Sequence, residues 1–233
     1  VEKWPCVDDK IKSQAEFILV DVETFGLDYQ HDPVVEVGLR VTDRYLRELA
    51  RKTWLILPED LESAWNESSD FIKDMHTKSG LIEDLRKLPS QGYTIDDTSH
   101  PDYGKWANYS ANFQSFDAYR WLTESLDLEM DKFPMTGSSV HFDRGMIESQ
   151  LLVLSGFFTH RNIDVSTIKE LCRRWNPDLY NAISKYPLLQ KENQRHRPQD
   201  DLNGTLHELQ FYFDNFFFVE ADDEAEGQIS LLS

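Results

Sequence analysis

The chain has 233 residues, 40% of them apolar, which is enough for one domain with a sizeable core. Its formal net charge of −18 leaves no strong basic track, the feature that normally holds long nucleic acid, so any nucleic-acid substrate is expected to be short. No apolar run reaches the length of a membrane span, the first residues lack a basic-then-apolar signal pattern, and Cys6 and Cys172 are too few for a disulfide framework; a reducing, cytoplasmic setting with no membrane partner is expected.

Residues 1–16 read as a polar leader. The run Phe17–Glu23 reads as a buried strand, Val34–Thr42 as a second and Leu49–Leu57 as a third, with a turn at Asp43–Arg44; together they predict an antiparallel meander. A helical region spans Leu61–Lys87. Residues 88–105, rich in Pro, Gly, Ser, Thr and Asp, read as a surface insertion. A helix over Phe113–Leu126 follows, then a short strand Thr136–Val140. A helix starts at Asp143, with Gly156 expected to end it. A last short strand covers Asn162–Val165, and Thr167 with Glu170 has the form of a capping box for another helix.

The final helix is expected from about Asp200, where Leu202, Leu206, Leu209, Phe213 and Phe216 form an amphipathic stripe. Residues 219–233 read as an acidic, flexible tail. Strands first, then alternating strands and helices, predict an α/β domain: a mixed β-sheet flanked by helices.

Acids stand where a buried strand should not have them. Asp21 and Glu23 end the first strand and point to the same face, since strand side chains alternate. Adjacent carboxylates repel, and burial makes that worse; a divalent cation would resolve the conflict. Asp143 and Asp201 offer further hard oxygen ligands of the kind magnesium and manganese prefer. His196 lies five residues before Asp201, and its near-neutral titration suits a base beside such a cluster. Each residue also has a plainer reading. Acid-x-acid at a strand end can simply be solvated, Asp143, Asp200 and Asp201 can cap helices, and a loop histidine is usually just exposed.

Taken in order, Asp21 and Glu23 in DVETFGLD, Asp143 in the middle motif, and His196 with Asp201 in HRPQDD resemble the DEDDh 3′–5′ exonucleases, whose fold is ribonuclease H-like. Within them the chain is similar to the oligoribonucleases over roughly Phe17–Phe217, through HTKSGLIE (His76–Glu83), GSSVHFDR (Gly137–Arg144) and IDVSTIKELCRRWNP (Ile163–Pro177). Residues 17–218 would then be the exonuclease domain. Thr24 and Phe25 replace the Met–Thr usual after the first acids, and Pro198 stands where the last motif usually has Ala. The 88–105 insertion and the tail are additional.

The resemblance implies phosphodiester hydrolysis with two divalent ions, Mg2+ or Mn2+, held by Asp21, Glu23, Asp143 and Asp201. His196 would be the general base, and the product a 5′-mononucleotide. It further implies that Leu27 is an apolar wedge between two bases and that His76 contacts base or sugar. Phe71 would be an aromatic platform, usually Trp, with Trp65 a rival. Ser139, Arg161 and Ser166 would cap a 5′-phosphate, which limits the substrate to short RNA or DNA oligonucleotides, dinucleotides above all. His160 occupies the place of a Tyr that the neighbouring subunit usually supplies, in a homodimer with shared sites. Three of these also have a plainer reading: Leu27 as core, Ser166 as an N-cap, Arg161 as a surface residue. Asp164 is a tempting fifth acid, but the four positions are filled and it can orient the local backbone instead. The alternatives are a DEDDh exonuclease on longer single strands and a silent binding module of the same fold; the intact acids and His196 argue against the latter.

Overall fold

The computed structural model describes residues 9–88, 93–94, 106–183, 185 and 196–217. The expected tail lies outside them, as do residues 1–8 of the expected leader. The rest of that leader is not merely polar. Helix α1 (Asp9–Gln14) sets Ile11 against the core, and Lys12 pairs with Asp127 at 2.7 Å.

The meander forms as its pattern predicts. Strands β1 (Phe17–Thr24), β2 (Val34–Thr42) and β3 (Glu48–Leu55) pair antiparallel in sequence order. Three helices follow where one helical region was expected: α2 (Leu61–Glu67), α3 (Asp70–Lys78) and α4 (Leu81–Lys87). Local caps cut them apart. The Asp60 side chain accepts from Ser63 N, the Ser69 side chain accepts from Ile72 N, and Gly80 takes the left-handed φ of 76° that separates α3 from α4. Of residues 88–105, expected as a surface insertion, 89–92 and 95–105 lie outside the described residues; within the stretch β4 (Tyr93–Thr94) pairs antiparallel with β5 (Trp106–Ala107), just past its end.

Helix α5 (Ala111–Arg120) runs on into a wider π-turn over Trp121–Ser125. Strand β6 (Met135–Gly137) leads to α6 (His141–Gln150) and α7 (Leu152–Ser155). The break lies at Leu151, whose φ of −122° and ψ of 53° leave the helix; Gly156 keeps a right-handed backbone and merely closes α7. Strand β7 (Asn162–Asp164) enters α8 (Val165–Trp175), followed by α9 (Pro177–Ile183). The capping box expected of Thr167 and Glu170 is not the cap. Asp164 caps α8 three residues earlier, its carboxylate accepting from Ser166 N at 3.0 Å. Helix α10 (Pro198–Tyr212) begins on a proline, tolerated in a first turn because the missing N–H has no partner there, and ends in a π-turn over Phe213–Phe217. Leu202 and Leu209 of its stripe are buried, as is Tyr212, while Leu206 and Phe213 are partly buried; the Phe216 side chain lies outside the described set.

The main sheet runs β3-β2-β1-β6-β7, with β6 and β7 parallel to β1. This is a mixed sheet flanked by helices, as expected. Ile18, Val20 and Val22 turn one face of β1 into the largest core cluster, shared with α5, α6 and α7. The opposite face carries Leu19, Asp21 and Glu23, and α10 packs over it. Asp21 sits opposite Gly38 and Glu23 opposite Glu36, so Glu36, Gly38 and Arg40 of β2 share that face. All three receive the start of α10. Arg40 donates to Gln199 O and Oε1, both at 3.0 Å, and also to Asn203. Gly38 must be glycine for reasons of space: a Cβ there would stand 2.4 Å from the Pro198 Cβ. Gly38→Ala is therefore expected to push the first turn of α10 off the sheet and to cost about 1–3 kcal/mol. Urea denaturation of the two proteins measures it.

Candidate active site

The parallel strands β1, β6 and β7 end at one edge, and that edge collects the chemistry. Asp21 and Glu23 come from β1, Ser138 and Ser139 follow β6, Asp164 ends β7, Ser166 opens α8, and Asp201 descends from the first turn of α10. Carboxyl ends of parallel strands are where α/β sheets usually place their sites.

Asp21, Glu23 and Asp201 each bring a carboxylate oxygen within 4.8 Å of the others. Asp21 Oδ2 and Asp201 Oδ1 are buried and have no hydrogen-bond partner. Asp143 stands beside this trio rather than in it. It is buried in the first turn of α6, and its Oδ1 accepts from Val22 N at 3.0 Å, which ties α6 to β1 between the two strand acids. Burial pushes Asp21 well above the ordinary carboxylate range, and Asp143, Glu23 and Asp201 push it further. Glu23 is raised by burial and then by Asp201. Burial also raises Asp201, and lifts Asp143 to about 7 against the pull of its backbone hydrogen bonds. Partnerless buried oxygens on mutually repelling acids suit a hard divalent cation.

His196 lies at the rim, half-exposed, with Nδ1 4.0 Å from Asp201 Oδ2 and a left-handed φ of 50°. His76, expected to contact base or sugar, is not exposed at this edge. It is fully buried under Phe25, with Nε2 donating to Thr24 O at 2.8 Å; burial lowers its pKa, and Nδ1 is left without a partner. In this arrangement it holds the end of β1 from behind.

Leu27 and Phe71 are both strongly exposed, at 76% and 72%, and line one groove of about 390 Å³ with Gly26, Ser69 and Ile72. Trp65 is turned inward, edge-on to Phe25 with ring centres 5.5 Å apart, so the groove's aromatic lining is the buried Phe25 and the exposed Phe71. The Leu27 loop is tied to α6. Gln150 Nε2 donates to Tyr29 O at 3.0 Å and Asp32 O at 2.8 Å, and its Oε1 accepts from Val34 N at 2.9 Å. The Tyr29 ring lies on Gly145, where a Cβ would come within 2.7 Å of it.

Ser139 and Ser166 meet, with hydroxyls 3.1 Å apart and the Ser138 hydroxyl 3.0 Å from that of Ser166. Asp164 gathers them, accepting from Ser139 N at 2.9 Å and Ser166 N at 3.0 Å, so it does orient backbone. Arg161 is exposed and its side chain makes no ion pair among the described residues; His160 is exposed beside it.

Three residues at this edge escaped the motif reading. Glu36, Arg197 and Asp84 form a buried-to-surface ion-pair chain directly behind Glu23. An acid inside the otherwise apolar VVEVGL stretch was the available signal.

No protein-family model matches the chain. Among solved structures, E. coli exonuclease I in its zinc-bound complex with single-stranded DNA superposes with a TM-score of 0.56 at 12% identity, over 86% of this chain and 41% of that one. Exonuclease I of Methylocaldum szegediense gives 0.56 at 11%, over 86% and 40%. The chain thus spans about two fifths of those proteins, and the likeness is one of fold, ribonuclease H-like. Sequence relatives reach further. An oligoribonuclease of Actinobacillus pleuropneumoniae is 29% identical over 204 residues, 87% of this chain and 95% of that protein. The mitochondrial oligoribonuclease of Bos taurus is 30% identical over 207 residues, 89% of this chain and 76% of that protein. With so much of both chains aligned at that identity, and with the exonuclease fold beneath it, this chain belongs to the oligoribonuclease family.

Proposed function

We propose that the chain is a metal-dependent 3′–5′ exoribonuclease that hydrolyses very short oligonucleotides, dinucleotides above all, to 5′-mononucleotides. The observation that carries the chemistry is the acid trio with two buried, partnerless oxygens, flanked by Asp143 and His196. Asp21, Glu23 and Asp201 would hold divalent cations, with Asp143 completing the set; the all-oxygen donors favour Mg2+ or Mn2+. Bound there, two such ions supply stabilisation of negative charge on the attacking and leaving oxygens.

The chain's own residues do the rest. His196 is half-exposed, so its ring can reach a water at the site's mouth and take its proton. Asp201, 4.0 Å from that ring, steadies the charge it acquires. A terminal base rests in the groove of Leu27 and Phe71, where stacking tolerates any base. The hydroxyls of Ser139 and Ser166 donate to a 5′-phosphate together with Arg161, whose exposed guanidinium can hold two phosphate oxygens. Capping that phosphate fixes the span to few nucleotides, which fits a chain of net charge −18. A homodimer, with His160 reaching the neighbouring site, belongs to the same reading; light scattering measures its mass.

Removing a site residue is expected to stop the reaction without unfolding the protein. Asp21→Asn and Asp201→Asn should lose roughly 10²–10³-fold or more in kcat, as lost electrostatic stabilisation costs. His196→Ala should lose about 10²–10⁴-fold. Quench-flow on a 5′-labelled dinucleotide, with magnesium and with chelator, checks both.

The length preference is tested with a dinucleotide and a seven-nucleotide RNA side by side. The dinucleotide should be cleaved more efficiently. Arg161→Ala should remove charge-assisted bonds of roughly 1.5–3 kcal/mol each from the dinucleotide and shrink the preference. An enzyme that prefers the heptamer, with Arg161→Ala affecting both equally, would leave the longer-strand reading in front.

The raised acids set the stability. Each binds its proton more tightly folded than unfolded, so without metal the protein loses stability as pH rises from about 4 through about 7, where Asp143 titrates. Divalent ion should restore it, by about 2.7 kcal/mol per site at a hundredfold excess over Kd. Asp21→Asn removes one repelling charge and should melt higher than the parent at pH 8 without metal, and gain less from magnesium. Thermal melts across pH, with and without ion, measure all three.

A further inference from the structure

Resting on the exonuclease reading, we infer that Arg197, clamped by Glu36 and Asp84, is the positioning residue that holds His196 and Asp201 in their working places.

The clamp is closed on both sides. Arg197 Nε and Nη2 donate to the two oxygens of Glu36 at 2.8 Å each, and Nη1 donates to Asp84 Oδ2 at 2.9 Å. Glu36 is 2% exposed on β2 and faces Glu23 across the strand pair; Asp84 is on α4. A two-toothed guanidinium pair fixes direction as well as distance, which a lysine in that place would not do. Arg197 therefore locks the chain between His196 and Pro198 to the same strand face that bears the acids.

What it locks is the junction of the site. Arg197 is the cap residue of α10, and its carbonyl accepts from Asp200 N at 2.9 Å and Asp201 N at 3.1 Å. One residue earlier, His196 has the left-handed φ of 50°, a conformation that persists only where neighbours over-determine it. Arg197 on one side and Pro198 seated on Gly38 supply that determination. The clamp also has an electrostatic side. Glu36 is an acid directly beside Glu23, and Arg197 occupies both of its carboxylate oxygens. Glu36 is thereby held back from the ion-binding trio although it stands next to it.

The test uses the full chain at saturating magnesium. Arg197→Gln and Glu36→Gln should each lower kcat on a 5′-phosphorylated dinucleotide by roughly 10²-fold, the cost of misplacing a reacting group by about 1 Å. KM should stay within about threefold, since neither residue touches the substrate. The double variant should be no worse than the poorer single, because the two act as one unit. In protein labelled with ¹⁵N-histidine, the His196 ring resonances should shift or broaden in each variant, while those of His31, on the loop after β1, should not. Arg197→Lys should recover only part of kcat. Should Arg197→Gln fail to fold, Asp84→Asn removes one bond of the three at a half-exposed acid and should give a smaller kcat loss with the same His196 shift. Unchanged kcat and an unmoved His196 resonance in a folded Arg197 or Asp84 variant would overturn the inference, as would strictly additive losses. A parent protein that hydrolyses no oligonucleotide would instead overturn the functional reading, and the His196 resonances would still decide the clamp.

Discussion

Like charge crowded at the end of one central strand governs this molecule. β1 is paired on both sides and covered on both faces, so Asp21 and Glu23 cannot turn away to water. Asp143 and Asp201 are then brought up to them from two helices. Burial and like-charge repulsion raise all three acids above the ordinary carboxylate range, with Arg197 opposing the rise at Glu23 and His196 opposing it at Asp201. The fold tolerates this because the rest of the sheet and its three hydrophobic clusters supply the favourable burial that the site withholds.

Much of the remaining polar structure exists to keep the crowding in register. β2 works as a template for the return of the chain. Glu36, Gly38 and Arg40 point to one face, and they receive Arg197, Pro198 and Gln199 in order. A single-residue slip of either partner would turn an acid toward the apolar core. Parallel pairing does the same for the phosphate side of the site, since Asp164 of β7 ties the turn after β6 to the first turn of α8.

The main strands and the acidic positions could be read from the chain because each is a local pattern: apolar runs with alternation, and acids at the strand end or in a helix's first turn. Val34–Thr42 agrees residue for residue. What was illegible depends on partners far away in sequence. The cap of α8 went to Asp164 instead of the Thr167–Glu170 pair because Asp164 also has the Ser139 backbone to hold. Leu61–Lys87 reads as continuously helical, yet Ser69 and Gly80 break it so that α4 can bury Leu81, Ile82 and Leu85 under Phe25. His76, which by resemblance would contact a substrate, is fully buried at the strand end and bonded to Thr24 O; spacing carries no information about depth. Glu36 and Arg197 lie 161 residues apart, and no local pattern joins them.

The tie between the Leu27 loop and α6 bears on how a substrate is measured. Gln150 grips that loop at three backbone atoms, Tyr29 lies flat on Gly145, and Asp143 sits two turns back along the same helix. The Leu27 loop and Asp143 are thus held by one helix. In the proposed complex, the interval between a base on Leu27 and a phosphate near Asp143 would be set by helix geometry, not by the wandering of a loop. A ligand meets a gauge already cut to length, and it gives up its own freedom without the protein having to surrender any.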